Sequence, residues 1–259
     1  MSGDIVLLQG GVDGHVEALI RAAGIVATHA GVRTAVIGGL AVTCRLATAH
    51  RATGDIDVVA DESAVVAAGR SAADNLVAAC VAQRDEGGAV LRVYVNDTKV
   101  EIIETATIDW ADVADVEPEL ARLFVLAHRW ALESATVCKI GVTGSTLEIQ
   151  VPVAIPASTI AMKLHAIQDR KDDRKRASDG WDIYRLINSH GQFDAFVSDL
   201  AAAPHGLVPL MSTAVERYFR DEVTRTRRWI QTYGDPAWAA QATEQALLDV
   251  AADFAAALP

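Results

Sequence analysis

The sequence predicts an α+β protein in two parts, strands and helices over residues 1–155 and helices alone over residues 156–259. Three observations lead there. Short apolar runs of strand character occur only before residue 155. A strand, a glycine pair, a helix and a second strand succeed one another between Thr34 and Val59. From Ala157 onward the pattern is helical, broken at Gly191, at Pro204-His205-Gly206 and at Gly234-Asp235-Pro236.

Composition bounds the function. A chain of 259 residues, 51% hydrophobic, can bury a substantial core and is not of disordered type. The formal net charge of −11 is unlike that of a dedicated nucleic-acid coat protein, although a local basic groove depends on where the charges sit. No apolar run reaches the ~20 residues that span a bilayer. The start, Met-Ser-Gly-Asp, lacks the basic and apolar regions of a secretory signal. Cys44, Cys80 and Cys138 are odd in number and form no Cys-x-x-Cys, against a disulfide framework and against zinc. A cytoplasmic protein without membrane segments is expected.

Taken in order, His15 to Ala30 has the spacing of an amphipathic helix that Gly31 ends. Thr34 to Ile37 reads as a buried strand, Gly38-Gly39 as a turn, and Leu40 to Ala49 as a helix. The next strand carries Asp55 and Asp57, and residues two apart on a strand share a face. Two bare carboxylates that close repel, so a cation between them is expected. Oxygen ligands of this kind suit Mg²⁺, with Mn²⁺ as the alternative, and the ion completes its shell with water and substrate phosphates. A glycine pair at a strand-to-helix turn lets phosphate oxygens approach main-chain N–H groups. Together, the two features point to nucleotide chemistry. Thr53 lies on the face of Asp55, where its hydroxyl is either a contact for metal-bound water or phosphate or simply part of a β-branched strand residue.

Glu62 to Ala82 is alanine-rich and helix-favouring, with Gly69 a mild cost. Val90 to Glu104 reads as a hairpin around Asn96-Asp97, a pair that tolerates positive φ. That turn sets Val95 against Thr98, Tyr94 against Lys99, Val93 against Val100 and Arg92 against Glu101. Val113 to Glu133 is helical from about Pro118, and Val137 to Val153 reads as strand, turn at Gly144-Ser145, strand. Helices are expected over 157–171, 178–189, 206–231 and 236–257. On the first of these Lys163 and Arg170 are seven apart, nearly above one another, and would suit a triphosphate as a point charge and a planar fork. The charged run from Asp169 to Arg176 reads as a solvated linker or an RNA contact, and Arg217, Arg220, Arg225, Arg227 and Arg228 form a second basic cluster. The seven histidines show no zinc spacing, and neither a Gly-x-Ser-x-Gly elbow nor a Walker A lysine motif is present.

The order Gly38-Gly39, helix, Asp55-x-Asp57 resembles the nucleotidyltransferase superfold related to DNA polymerase β. More narrowly, Gly38-Gly39-Leu40-Ala41 with Arg51-x-Thr53-x-Asp55-Ile56-Asp57 is similar to the AbiEii/MenT group of toxin–antitoxin nucleotidyltransferases. Downstream, Lys163-x-x-Ala166-x-x-x-Arg170, a charged linker and Asp179-x-x-Asp182-Ile183-Tyr184-x-Leu186 are similar to the second half of such enzymes, so the resemblance covers roughly Val36 to Leu186. It implies a polymerase β-like domain, a small mixed sheet flanked by helices, over 1–155, and a helical domain carrying the Lys/Asp motif over 156–259.

The resemblance also implies roles. Asp55 and Asp57 would hold the metal, and Glu101 matches the third carboxylate, as ligand or as base; on its own it reads equally as an ion-pair partner of Arg92. Gly38, Gly39, Thr53, Lys163 and Arg170 would serve the nucleotide. Lys163 matches the essential lysine and Asp179 or Asp182 the downstream aspartate, with Asp182 also a candidate to pair with Arg185 or Lys163. Lys163 and Asp57 are expected at a cleft surface, where substitution leaves the fold intact. The implied reaction transfers NMP from a nucleoside triphosphate to RNA, at the 3′ end of tRNA in characterised relatives, blocking translation, with a separately encoded antitoxin. The alternatives are nucleotidylation of a small molecule such as an antibiotic or of a protein side chain, and a non-catalytic nucleotide-fold binding module.

Overall fold

A computed structural model describes residues 5–9, 14–46, 53–61, 63, 69–84, 91–105, 112–189 and 193–258. Arg51 of the glycine–aspartate motif, most of the helix expected between Glu62 and Ala68, and Gly191 lie outside the described residues. By its internal contacts the chain divides into two units, Met1–Ile108 with Ala131–Ile155, and Asp109–Trp130 with Pro156–Pro259.

The first unit holds β1 (Ile5–Leu8), α1 (His15–His29), β2 (Thr34–Ile37), α2 (Gly38–Leu46), β3 (Asp55–Ala60), α3 (Ala72–Ala78), β4 (Gln83–Arg84), β5 (Leu91–Val95) and β6 (Thr98–Glu104). After α4 (Glu119–Ser134), which begins in the second unit's sequence range, come β7 (Thr136–Val142) and β8 (Glu148–Val153). Among the described residues the strands form one mixed sheet of eight, in the order β1-β7-β8-β2-β3-β6-β5-β4. β3 runs antiparallel to β2 and parallel to β6.

Alternation along the central strands decides which side chains face the core. Ile56 and Val58 of β3, Val100 and Ile102 of β6 and Val93 and Val95 of β5 are buried, and they share a core cluster with Leu19, Ile20, Ala23 and Val26 of α1. The opposite parity places Asp55 and Asp57 on the other face. The β5–β6 register matches the sequence expectation pair for pair, because Asn96 and Asp97 adopt positive φ of 47° and 64° and set a two-residue turn.

The turn expected at Gly38-Gly39 is tight: Gly38, with φ 66°, follows Ile37 directly and α2 is counted from it. Arg45 holds this corner through side-chain hydrogen bonds to the carbonyl oxygens of Val153 and Ala154 and to Thr136 Oγ1. The single helix expected over 62–82 is broken: Gly69 has φ 66°, and Ser71 and Asp74 close a capping box that starts α3 afresh.

The second unit is helical: α5 (Pro156–Asp169), α6 (Asp173–Ile187), α7 (Phe193–Ala201), α8 (Leu207–Glu216), α9 (Val223–Tyr233), α10 (Pro236–Gln241) and α11 (Glu244–Ala256). Its core buries Trp181, Phe196, Phe219 and Phe254. Three sequence expectations are corrected. The charged linker is shorter than expected, because Asp172 accepts from the Arg174 N–H and starts α6 at Asp173. The helix expected over 206–231 is interrupted by a π-type turn at Arg217–Asp221, and the one over 236–257 restarts where Thr243 caps α11. Among the described residues no helix is long and apolar enough to cross a membrane.

Candidate functional site

Two rows of side chains cross the central strands of the first unit. Arg92, Glu101, Asp57 and Ile37 are successive register partners over β5, β6, β3 and β2, and beside them run Tyr94, Lys99 and Asp55. Because β3 and β6 are parallel neighbours in this register, Asp55, Asp57 and Glu101 come together: each offers a carboxylate oxygen within 4.8 Å of the others. All three are half-buried, so water only partly screens their charge.

The glycine corner closes the other side. Ile37 pairs with Asp57, so Gly38 lies against the Asp57 side chain. Its φ of 66° is left-handed, and a Cβ there would fall on Asp57 Oδ2 and 2.8 Å from Asp57 Cγ. Only glycine fits, for conformation and for space. The expected adjacency of the glycine pair and the Asp-x-Asp is therefore present in the geometry. The first N–H groups of α2 have no partner within that helix and are suited to an anion.

Among the described residues, Lys99 and Arg92 engage the acidic trio. Lys99 Nζ lies 2.9 Å from Asp55 Oδ2 and 3.0 Å from Glu101 Oε1, and Arg92 Nη2 lies 2.9 Å from the same Glu101 oxygen. The two readings of Glu101, ion-pair partner of Arg92 and third carboxylate, are thus compatible in one side chain. Burial alone would lift the Glu101 carboxyl, but the hydrogen bonds and charge of Lys99 and Arg92 outweigh it and hold it below the usual carboxylate range. The Lys99 ammonium is raised above the ordinary lysine value, chiefly by its bond to Asp55. The hairpin pattern sets Lys99 only against Tyr94; its neighbour Asp55 on β3 comes from a parallel pairing that no local pattern reveals.

Thr53 donates its hydroxyl to the Asp55 carbonyl oxygen at 3.1 Å, and its own carbonyl lies 2.8 Å from His15 Nε2. It braces the start of β3.

A divalent ion fits the donor set of the trio. Three hard carboxylate oxygens, already close and carrying net negative charge, are the ligands Mg²⁺ or Mn²⁺ prefers.

The second unit contains its own ionic cluster. Lys163 of α5 reaches Asp179 Oδ1 at 2.9 Å and Asp182 Oδ2 at 2.8 Å on α6, three residues apart and so on one helix face. The side chains are 7%, 1% and 0% exposed. Arg170 Nε approaches Asp179 Oδ2 at 2.9 Å, an ion pair without the direction of a hydrogen bond, from a more exposed position. The expectation that Lys163 is a surface group is corrected: it is buried, and both candidate aspartates pair with it, so neither is singled out. His165, with Phe124 and His128, forms a ring cluster. Burial lowers both histidines, His128 to about 4, so at neutral pH they are uncharged rings and offer no cation.

The C-terminal arginines are largely neutralised. Arg217 and Arg225 share Glu222 at 2.9 and 3.0 Å, Arg220 pairs with Glu216, and Arg227 lies 3.4 Å from Glu244. Arg225 also stacks over Trp229 at 4.8 Å. That spends much of the charge a polyanion would need.

A family model described as "Nucleotidyl transferase AbiEii toxin, Type IV TA system" matches residues 22–205, more than half of the chain. No curated protein matches it.

Proposed function

The chain belongs to the AbiEii nucleotidyl transferase toxin family of type IV toxin–antitoxin systems, and from that premise we propose a Mg²⁺-dependent enzyme that transfers NMP from a nucleoside triphosphate to RNA. The acceptor in this reading is the 3′ end of tRNA, the consequence is a block to translation, the place is the cytoplasm, and the counterpart is a cognate antitoxin. The observation that carries it is the gathering of Asp55, Asp57 and Glu101 against the glycine corner at Gly38.

In the reaction the acceptor hydroxyl loses its proton to a nearby carboxylate or to water, its oxygen bonds to the α-phosphorus, the bond from that phosphorus to the oxygen bridging to the β-phosphate breaks, and pyrophosphate leaves with the electron pair. Asp55, Asp57 and Glu101 would hold the ion, Mg²⁺ or Mn²⁺. A bound divalent ion supplies charge neutralisation at the phosphates and at the entering and leaving oxygens. The chain's own groups supply position. Parallel pairing of β3 with β6 fixes the carboxylates, the hold of Arg45 fixes the corner, and main-chain N–H groups at Gly38 and Gly39 receive phosphate oxygens. In the second unit Lys163 and Arg170, the cations whose spacing suits a triphosphate, both pair with Asp179.

Incubation with each α-labelled nucleoside triphosphate, Mg²⁺ and total tRNA tests the reading. Label in RNA, lost when tRNA 3′ ends are blocked by oxidation, is the expected result. Label in small amines or protein alone would replace the acceptor, and none in any fraction would contradict transfer. A second expectation concerns the corner: Gly38→Ala pushes Asp57 aside, and a displacement near 1 Å lowers the transfer rate by about 10²-fold. A Gly38→Ala enzyme at full rate would remove the corner from the site.

A further inference from the structure

The proposed ion site already contains a positive charge of its own. Lys99 stands opposite Asp55 in the parallel register and two residues before Glu101 on the same face. Its ammonium bridges the two carboxylates at 2.9 and 3.0 Å. An ion bound to the same oxygens at ~2.0–2.1 Å would face that ammonium at close range, and two like charges do not share such a space. We propose that Lys99 is the resident counter-ion of the acidic trio, seated across the entrance of the divalent ion, and that it swings away when the ion binds. The inference rests on reading Asp55, Asp57 and Glu101 as ion ligands.

Three features make the exchange feasible. The Lys99 side chain is 31% exposed, so it has a route to solvent. A four-carbon stem turns about its own bonds without moving β6. Arg92 reaches Glu101 from the neighbouring strand and keeps that carboxylate oriented after the ammonium leaves. The consequence is that the free enzyme holds its carboxylates in place without metal but binds the ion weakly, because each binding event must displace a paired cation.

Mn²⁺ binding to the full-length, nucleotide-free protein, followed by loss of the free-ion EPR signal, tests this at fixed pH. Lys99→Met is expected to bind Mn²⁺ about tenfold more tightly than wild type, the partly screened equivalent of removing one adjacent positive charge. Lys99→Arg, which keeps the charge, stays within about threefold of wild type. In chelator Lys99→Met melts several degrees below wild type and recovers with Mn²⁺. Lys99→Gln gives the same tightening should the methionine variant fold poorly. Equal or weaker Mn²⁺ binding by both uncharged variants, with Asp57→Asn still weakening it, would overturn the counter-ion role and leave the ion site standing. Binding that Asp57→Asn does not weaken in any background would overturn the ion site and the counter-ion role with it.

Discussion

Asp57→Asn is expected to reduce nucleotidyl transfer by about 10³-fold or more, the equivalent of roughly 4 kcal/mol of lost transition-state stabilisation. Asparagine keeps the volume and the backbone pairings of Asp57 to Ile37 and Glu101, so the sheet is unaffected. What disappears is the central carboxylate of the trio, the one pressed against Gly38. Removing one of several like charges also relieves repulsion, so the melting temperature should be equal to or slightly above that of wild type. Steady-state labelling with circular dichroism melts on the same preparation checks both halves. An active Asp57→Asn enzyme would remove the trio from the chemistry.

The second large effect lies in the helical unit, and it is on stability. Lys163→Met removes the ammonium that Asp179 and Asp182 both face, where those carboxylates are 1% and 0% exposed. Breaking a buried ion cluster from one side typically costs about 3–5 kcal/mol, because buried charge is left behind. Loss of activity in this variant therefore has two sources, and only a stability measurement separates them. The double variant Lys163→Met with Asp182→Asn should be more stable than Lys163→Met alone, since a neutral amide replaces one of the carboxylates. Urea denaturation gives both comparisons. A wild-type midpoint for Lys163→Met would contradict the burial of this cluster.

These two sites differ in how far the sequence revealed them. Around Asp57 the local patterns sufficed: the strand at Thr34–Ile37, the alternation of Asp55 and Asp57, and the turn pair Asn96-Asp97 that fixed Arg92 opposite Glu101. Short-range geometry determines such features, so residue spacing is informative. The parallel pairing of β3 with β6 is different in kind. It brings together residues some forty apart in the chain, and only that pairing places Glu101 beside Asp57 and Lys99 beside Asp55. The family resemblance supplied Glu101, but nothing supplied Lys99.

In the helical unit the spacing of Lys163, Asp179 and Asp182 marked the residues but left Asp182 between Arg185 and Lys163 as partners. It did not reveal that the cluster is buried, because helix periodicity identifies a face and not what covers it. The arginine-rich stretch was legible only in part. Counting cations from Arg217 to Arg228 leaves out Glu216 and Glu222, which pair with Arg220, Arg217 and Arg225.

The most direct test of the central claim is a crystal of the protein grown with Mn²⁺ and a nonhydrolysable nucleoside triphosphate, with the ion located by its anomalous scattering. The expected result is a peak within coordination distance of Asp55, Asp57 and Glu101, phosphates against the Gly38 corner, and the Lys99 ammonium withdrawn from Asp55. An ion and nucleotide bound elsewhere, with Lys99 still bridging Asp55 and Glu101, would contradict it.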